Sequence, residues 1–390
     1  MTVVLPAPVE LRRRHVAAAV ACHFTAAFAA LGLPPYLPRL LAELGDPQAR
    51  WAGVLYIVPT AATALSAPLW GRLADRYGRK KLLIRAQLGL AVAFLLASQV
   101  NSTGSLALVL ALQGLLGGTF AATGAYLAAG LDGPRLAKAL TAAQASARAA
   151  LVVAPAAAGL LAAQLDVRDM YALAAAGPLI AAALTLTLPE PGAIKRPKDE
   201  DCSTSDSGEP APSMRFLCGA EAVFVLSTVV TFPYLLPVVA EAWPTASPAV
   251  AGMLFALPHV VYLVSASAVL RIVKPRPGLA AGFALIAAGG LAHPLAVSWS
   301  SPPILIGGRL LLGAGLTLGL VALAALTARA ARGAEPGKLF GTVEAWSKGG
   351  AVAAGLIASA LSALSGPAAP TLFGAVLALS VVPFVIRSNR

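Results

Sequence analysis

Ala52-Gly53-Val54-Leu55-Tyr56-Ile57-Val58-Pro59 returns 199 residues later as Ala251-Gly252-Met253-Leu254-Phe255-Ala256-Leu257-Pro258. At the same offset, Pro34-Pro35-Tyr36-Leu37-Pro38 is answered by Pro233-Tyr234-Leu235-Leu236-Pro237. At an offset of 200, Lys138, Gln144 and Arg148 fall on Lys338, Glu344 and Lys348. One such match is ordinary in a chain this rich in alanine. Three in the same order are the mark of a duplicated half. Duplicated apolar halves are the usual architecture of secondary transporters.

The surroundings of the repeat agree. Hydrophobic residues make up 58% of the chain and charged residues 12%, about half the charged fraction of an ordinary soluble domain. The apolar residues gather in twelve blocks, near 15–38, 51–71, 82–100, 104–131, 139–164, 170–188, 215–239, 249–272, 278–298, 302–328, 338–364 and 368–386. Each is long enough to cross a bilayer as a helix. Their alanines and glycines let helix backbones approach in lipid. The first block follows Arg12-Arg13-Arg14 but is not a signal peptide, because its Pro-rich end is the partner of residues 233–237. The expected fold is an all-α membrane protein of twelve transmembrane helices in two pseudo-symmetric six-helix bundles. Residues 1–188 form the first bundle, 189–214 a cytoplasmic linker and 215–390 the second. The linker reads as flexible from its Lys195-Arg196-Pro197-Lys198, Asp199-Glu200-Asp201 and Ser/Asp/Pro stretches.

The net charge of +12 is topological rather than a nucleic-acid footprint. With the N-terminus inside, only Arg39, Arg50 and Arg168 of the 29 Lys and Arg fall in outside loops, and Arg148, Arg309 and Lys348 fall within spans, leaving 23 on the cytoplasmic side. That bias puts both termini in the cytoplasm. Cys22, Cys202 and Cys218 have no metal-ligand spacing and imply no disulfide. No zinc pair, nucleophile elbow or Walker loop is present, so neither a membrane enzyme nor direct ATP drive is expected, and no cofactor.

Between spans two and three runs Gly71-Arg72-Leu73-Ala74-Asp75-Arg76-Tyr77-Gly78-Arg79-Lys80-Lys81. This segment resembles the signature loop of the major facilitator superfamily. The resemblance implies that Asp75 lies near the start of span eleven and latches the two halves on the inside. A carboxylate there meets the positive end of a helix dipole. Gly71 then permits close approach, and Arg76, Gly78 and Arg79 complete the gating motif. The second half keeps Arg271 but has Lys274 in place of Asp75, which makes the latch one-sided. In span five, Ala154-Pro155-Ala156-Ala157-Ala158-Gly159 resembles, in degenerate form, a motif of the drug/proton antiporter branch; a plain Pro kink is the other reading. Span four offers Gln113-Gly114 with Leu110 where that branch often carries an Arg. Its repeat, span ten, carries Arg309, open to a proton-relay or a structural role.

Ionisable residues inside a membrane are costly and so become functional candidates. Arg148 and Lys348 sit ten residues into spans five and eleven, roughly 15 Å deep. Glu344 precedes Lys348 by four residues, on the same helix face. Two readings stay open: a polar substrate site with Glu344 titrating, or a structural ion pair with Arg148 on backbone carbonyls. Glu221, in span seven, is a proton carrier or a snorkelling interfacial acid. His23 stands where relatives of the branch place an acid, and titrates or stays in the core. His259 and His293 are weaker candidates. Tyr36, Tyr126, Tyr234 and Trp346 line the cavity or only pack.

The expectation is a monomeric, multi-pass secondary transporter in a bacterial-type inner membrane, whose partners are a small-molecule substrate, protons and the bilayer, with no nucleic acid. The resemblance implies proton-coupled efflux, and two midplane cations favour a small polar or anionic cargo, of which a siderophore is one family-level possibility. A substrate carboxylate is expected between them, with a proton on Glu344 favouring release. Multidrug efflux and uptake by proton symport are the alternatives.

Overall fold

The computed structural model describes residues 11–162, 164–191 and 211–387. Most of the expected linker, including Cys202 and the charged run 195–201, lies outside the described residues. Twelve helical segments follow one another: α1 Arg13–Glu43, α2 Ala52–Tyr77, α3 Arg79–Ala97, α4 Thr103–Gly130, α5 Gly133–Leu161, α6 Val167–Leu186, α7 Met214–Ala242, α8 Pro248–Ile272, α9 Pro275–Ser298, α10 Pro302–Ala330, α11 Pro336–Ser365 and α12 Ala369–Arg387. Among the described residues, eleven of these are long and apolar enough to cross a membrane. The other, α3, spends its first two turns on Arg79, Lys80, Lys81 and Arg85. Several helices start before their apolar blocks, α5 at Gly133 rather than 139 and α11 at Pro336 rather than 338. Helical hydrogen bonds are internal, so a helix runs on past the lipid into its basic first turn.

The repeat is visible in the breaks. α1 is interrupted by a 3-10 turn at Pro34–Tyr36 and α7 by one at Phe232–Tyr234, because proline withholds an N–H and disfavours the helical conformation just before it. α2 and α8 continue through the repeat mates Pro59 and Pro258. Against those prolines lie two more mates, Gly114 and Gly313. A Cβ on Gly114 would strike the Pro59 carbonyl, and one on Gly313 would come within 3.0 Å of the Pro258 Cα. Two breaks are not repeated: α6 is interrupted at Ala175 whereas α12 is continuous, and the other lies in α4. α4 is split at Gly117–Gly118, with Gly118 at φ +83°, a conformation glycine adopts freely. α10 has Leu316 and Thr317 there and stays whole.

Packing repeats as well. Contacts α1–α5, α2–α4, α3–α4 and α3–α6 in one half match α7–α11, α8–α10, α9–α10 and α9–α12 in the other. Between halves, α2 meets α11 and α8 meets α5. Glycines set the tightest approaches: Gly282 lies against Gly315 and Gly319, and Gly289 against Gly308. Close backbone contact between small residues is the main source of helix affinity in lipid. Outward-facing side chains are apolar: Leu65, Ile272 and Leu364 are each 81% exposed. That surface suits a bilayer.

Candidate functional site

Asp75 lies in the last turn of α2 and reaches across to α11. Its Oδ1 accepts the Gly337 N–H at 2.9 Å and its Oδ2 the Lys338 N–H at 2.8 Å. These are the second and third residues of α11, whose N–H groups have no partner within the helix. One carboxylate thus caps a helix of the opposite half. Arg79 donates to the same Oδ1 at 2.9 Å. Gly71 makes this reach feasible, since a Cβ there would collide with the Gly337 carbonyl, just as one on Gly341 would collide with that of Ala67. Gly78 turns the chain from α2 to α3 at φ +106°. Arg76 is exposed and stacks on Tyr77. The repeat mate Lys274 is exposed at the start of α9.

A second carboxylate shares this end of the bundle. Glu190 accepts the Arg79 and Lys80 N–H groups at 2.9 and 3.3 Å, capping α3. Its neighbour Pro189 accepts the Tyr126 hydroxyl at 2.8 Å. Residues 189 and 190 are therefore held against the bundle. Tyr126 is fully buried. Pro-Glu-Pro reads as linker in sequence, and nothing local marks its Glu as a cap.

Deeper in the bundle, the repeat builds one device twice. On α1, His23 Nδ1 lies 2.7 Å from Ser146 Oγ of α5; on α7, Glu221 Oε1 accepts the Ser347 hydroxyl of α11 at 3.2 Å. A cation follows each serine, Arg148 two residues after Ser146 and Lys348 directly after Ser347. Arg148 donates to Gln144 at 3.3 Å, one turn back. Lys348 lies 3.6 Å from Glu344, also one turn back. The two copies face one another electrostatically: His23 lies in range of both cations, and Glu221 of both cations and Glu344. His23, Glu221 and Glu344 are buried, whereas the Lys348 side chain is 39% exposed. The Arg148 Nε is buried without a hydrogen-bond partner, so Arg148 is the least satisfied cation of the group. Ser146 and Ser347 are the functional candidates that sequence reasoning missed. Their offset of 201 was the available signal, one step outside the register of the cations.

The remaining candidates sit in other packing environments, although His259 also lies in range of Arg148. Arg309 is 1% exposed and donates to the Leu254 and Phe255 carbonyls of α8 at 2.8 and 3.0 Å. Pro258 has no N–H to offer the Leu254 carbonyl four residues back, and Arg309 supplies one. That geometry is a staple across a proline, in keeping with the structural one of the two roles left open for Arg309. His259 is buried between Phe232 and Phe255 with both ring nitrogens unpartnered. His293 bonds the Gly289 carbonyl at 2.7 Å. Gln113 is half-buried at the α4 break, where its carbonyl accepts the Gly117 N–H. Tyr36 and Tyr234 are half-buried in the two 3-10 turns. Trp346 is 53% exposed. Pro155 does not break α5. Cys22 and Cys218 are buried free thiols.

Residues 19–239 match the profile of the Major Facilitator Superfamily. Curated relatives include "Multidrug resistance protein MdtG" of Citrobacter koseri, 31% identical over 183 residues that make up 46% of this chain and 45% of that protein. The Dickeya zeae protein of that name is 35% identical over 116 residues, 29% and 28% of the two chains. The chain thus spans less than half the length of these curated relatives. Among solved structures, the human organic anion transporter MFSD10 (TETRAN) superposes with a TM-score of 0.76 at 18% identity, covering 96% of this chain and 99% of that one. The proton:xylose symporter XylE bound to 6-bromo-6-deoxy-D-glucose gives 0.75 at 13% identity, covering 96% and 95%. At these identities the likeness is one of fold.

Proposed function

We propose that this chain, which belongs to the Major Facilitator Superfamily, is a proton-coupled secondary active transporter of a small polar or anionic molecule. The reading places it as a monomer in a bacterial-type inner membrane, with both termini in the cytoplasm and the two halves acting as rigid bundles. The observation that supports it is the doubled device around Arg148 and Lys348. Two cations and two carboxylates converge there, and the Arg148 Nε is buried without a partner. A substrate carboxylate supplies what that guanidinium lacks, because charge-assisted pairs to arginine are the strong ones. A carboxylate-rich siderophore fits the site in charge.

The sign of the coupling follows from the charges. With Glu221 and Glu344 ionised, the four groups balance. A proton on either leaves a net positive site, and one on Glu344 frees Lys348. Proton and anion therefore load together, and by reciprocity each strengthens the other. On this reading an anion is released after deprotonation, rather than on arrival of a proton at Glu344 or another site. An anionic cargo accordingly moves with protons, in the manner of a symporter.

Multidrug efflux is the second reading, favoured by the name of the curated relatives. There, a cationic or neutral drug displaces protons from Glu221 and Glu344 and is exchanged against them. Counterflow in proteoliposomes tests transport itself. A response of that counterflow to a protonophore or an imposed pH gradient tests proton coupling, and a purified protein that exchanges no labelled solute would sink both readings.

A further inference from the structure

We propose that the groove between α3 and α4 holds one anionic phospholipid from the leaflet at the signature-loop end. Its phosphate meets Lys81 and Arg85, and an acyl chain runs along Ile84, Leu88 and Val92.

The groove has a volume of about 420 Å³, and Lys81 and Arg85 are its charged lining residues. Leu88 and Val92 are 44% and 47% exposed on the same outer face, so this side of α3 looks into lipid. Lys81 to Val92 is eleven residues, about 16 Å of helix, and half of a hydrocarbon core about 30 Å thick. A headgroup at Lys81 thus leaves its tail ending near the midplane, as one leaflet requires. Neither cation pairs with a carboxylate among the described residues, and the groove wall carries no acid to favour an ammonium headgroup. Basic grooves between helices at a membrane surface select anionic lipids on these terms.

The position of Arg85 is fixed rather than adventitious. Its guanidinium stacks on Trp70, 3.6 Å from the ring centroid, and donates to the Leu116 carbonyl. Trp70 Nε1 donates to the adjacent Leu115 carbonyl at 2.6 Å. Both carbonyls lie at the Gly117–Gly118 break of α4, which leaves them without helical partners. The Arg85 Nε is buried and unpartnered. Beneath the groove, Gly89 brings α3 against Leu116 so closely that a Cβ would lie 2.6 Å from the Leu116 Cβ. A lipid seated here braces α3 against the Gly117–Gly118 break of α4, which α10 does not share. The groove between α7 and α11, lined by Ala222, Trp346 and Gly350 among others, has a similar volume of about 360 Å³ and no charged lining residue. Shape is common to both grooves; charge belongs to the first alone.

The test is native mass spectrometry of the full chain in detergent, titrated with phosphatidylglycerol or with phosphatidylcholine of the same acyl chains. Wild type should retain one phosphatidylglycerol at concentrations where phosphatidylcholine is lost. Lys81→Gln should weaken that retention about fivefold, and added salt should weaken it further. Val92→Trp fills the tail end while leaving Lys81 in place, and should weaken both lipids. Lys81 and Val92 are surface positions, and matching thermal unfolding without added lipid confirms that the variants fold. Equal retention of the two lipids by wild type overturns the proposal, as does phosphatidylglycerol binding unchanged in both variants. Displacement of the lipid by equimolar inorganic phosphate also overturns it, because that would be an anion site with no use for the tail.

Discussion

Replacing Asp75 with asparagine removes a charge from the first turn of α11 and barely changes shape. The aspartate accepts two backbone N–H groups, at 2.9 and 2.8 Å, and an Arg79 N–H at 2.9 Å. Asparagine offers one oxygen, and its NH2 group then points at a donor. One backbone bond survives as a neutral one and the other is lost. Bonds to charged groups contribute about 1.5–3 kcal/mol and neutral ones about 0.5–1.5, and the helix-dipole term adds about 0.3–1. At the low end of these ranges the net loss is about 2 kcal/mol, roughly thirtyfold in the balance between latched and unlatched halves. Hydrogen–deuterium exchange of the Gly337 and Lys338 amides reads that balance directly. Asp75→Asn should exchange there about thirtyfold faster while the remainder of α11 stays protected. Wild-type exchange at both amides would refute the view that Asp75 caps α11 across the interface.

Gly71→Ala should slow transport at least tenfold without blocking membrane insertion, because its Cβ forces α2 off the Gly337 carbonyl; a wild-type rate would show that the close approach is dispensable. Arg309→Leu should lower stability by about 1–3 kcal/mol, because the buried Leu254 carbonyl is left without a donor. Thermal unfolding in detergent checks this, and an unchanged melting point would remove the staple across Pro258. Glu344→Gln should flatten the pH dependence of transport more than Glu221→Gln, since Glu344 holds Lys348 at 3.6 Å whereas Glu221 is bonded to the neutral Ser347. In wild type the Glu344 carboxylate holds Lys348 at 3.6 Å. In the glutamine variant Lys348 is free at every pH, so equal or reversed effects of the two changes contradict the pairing.

The fold was legible because its causes are local. Pro34, Pro59 and their mates mark breaks and kinks that only the repeat explains, and hydropathy marks the spans. The Asp75 segment was legible through spacing, since a capping carboxylate, a turn glycine and a close-packing glycine must keep fixed distances along α2. The deep site was only half legible. Arg148 and Lys348 stand out as charges in apolar helices, but Ser146 and Ser347 are commonplace residues whose meaning lies in what α1 and α7 bring to them. Arg309 shows the same limit from the other side. A buried cation invites a functional reading, and only the position of Leu254 and Phe255 reveals that it answers a proline. The Arg85–Trp70 stack depends on the α4 break, which the Gly117-Gly118 pair permits but does not announce.

The central claim is that cargo and proton share the cluster of Arg148, Lys348, Glu221 and Glu344, so the most direct measurement is the sign of proton movement on binding. Purified protein in weak buffer with a pH-indicator dye is given a cargo first identified by counterflow. An anionic cargo should draw protons onto the protein, with the uptake abolished in the Glu221→Gln/Glu344→Gln double variant and reduced in Lys348→Ala. Proton release by an anionic cargo, or uptake that survives the double variant, would contradict the account.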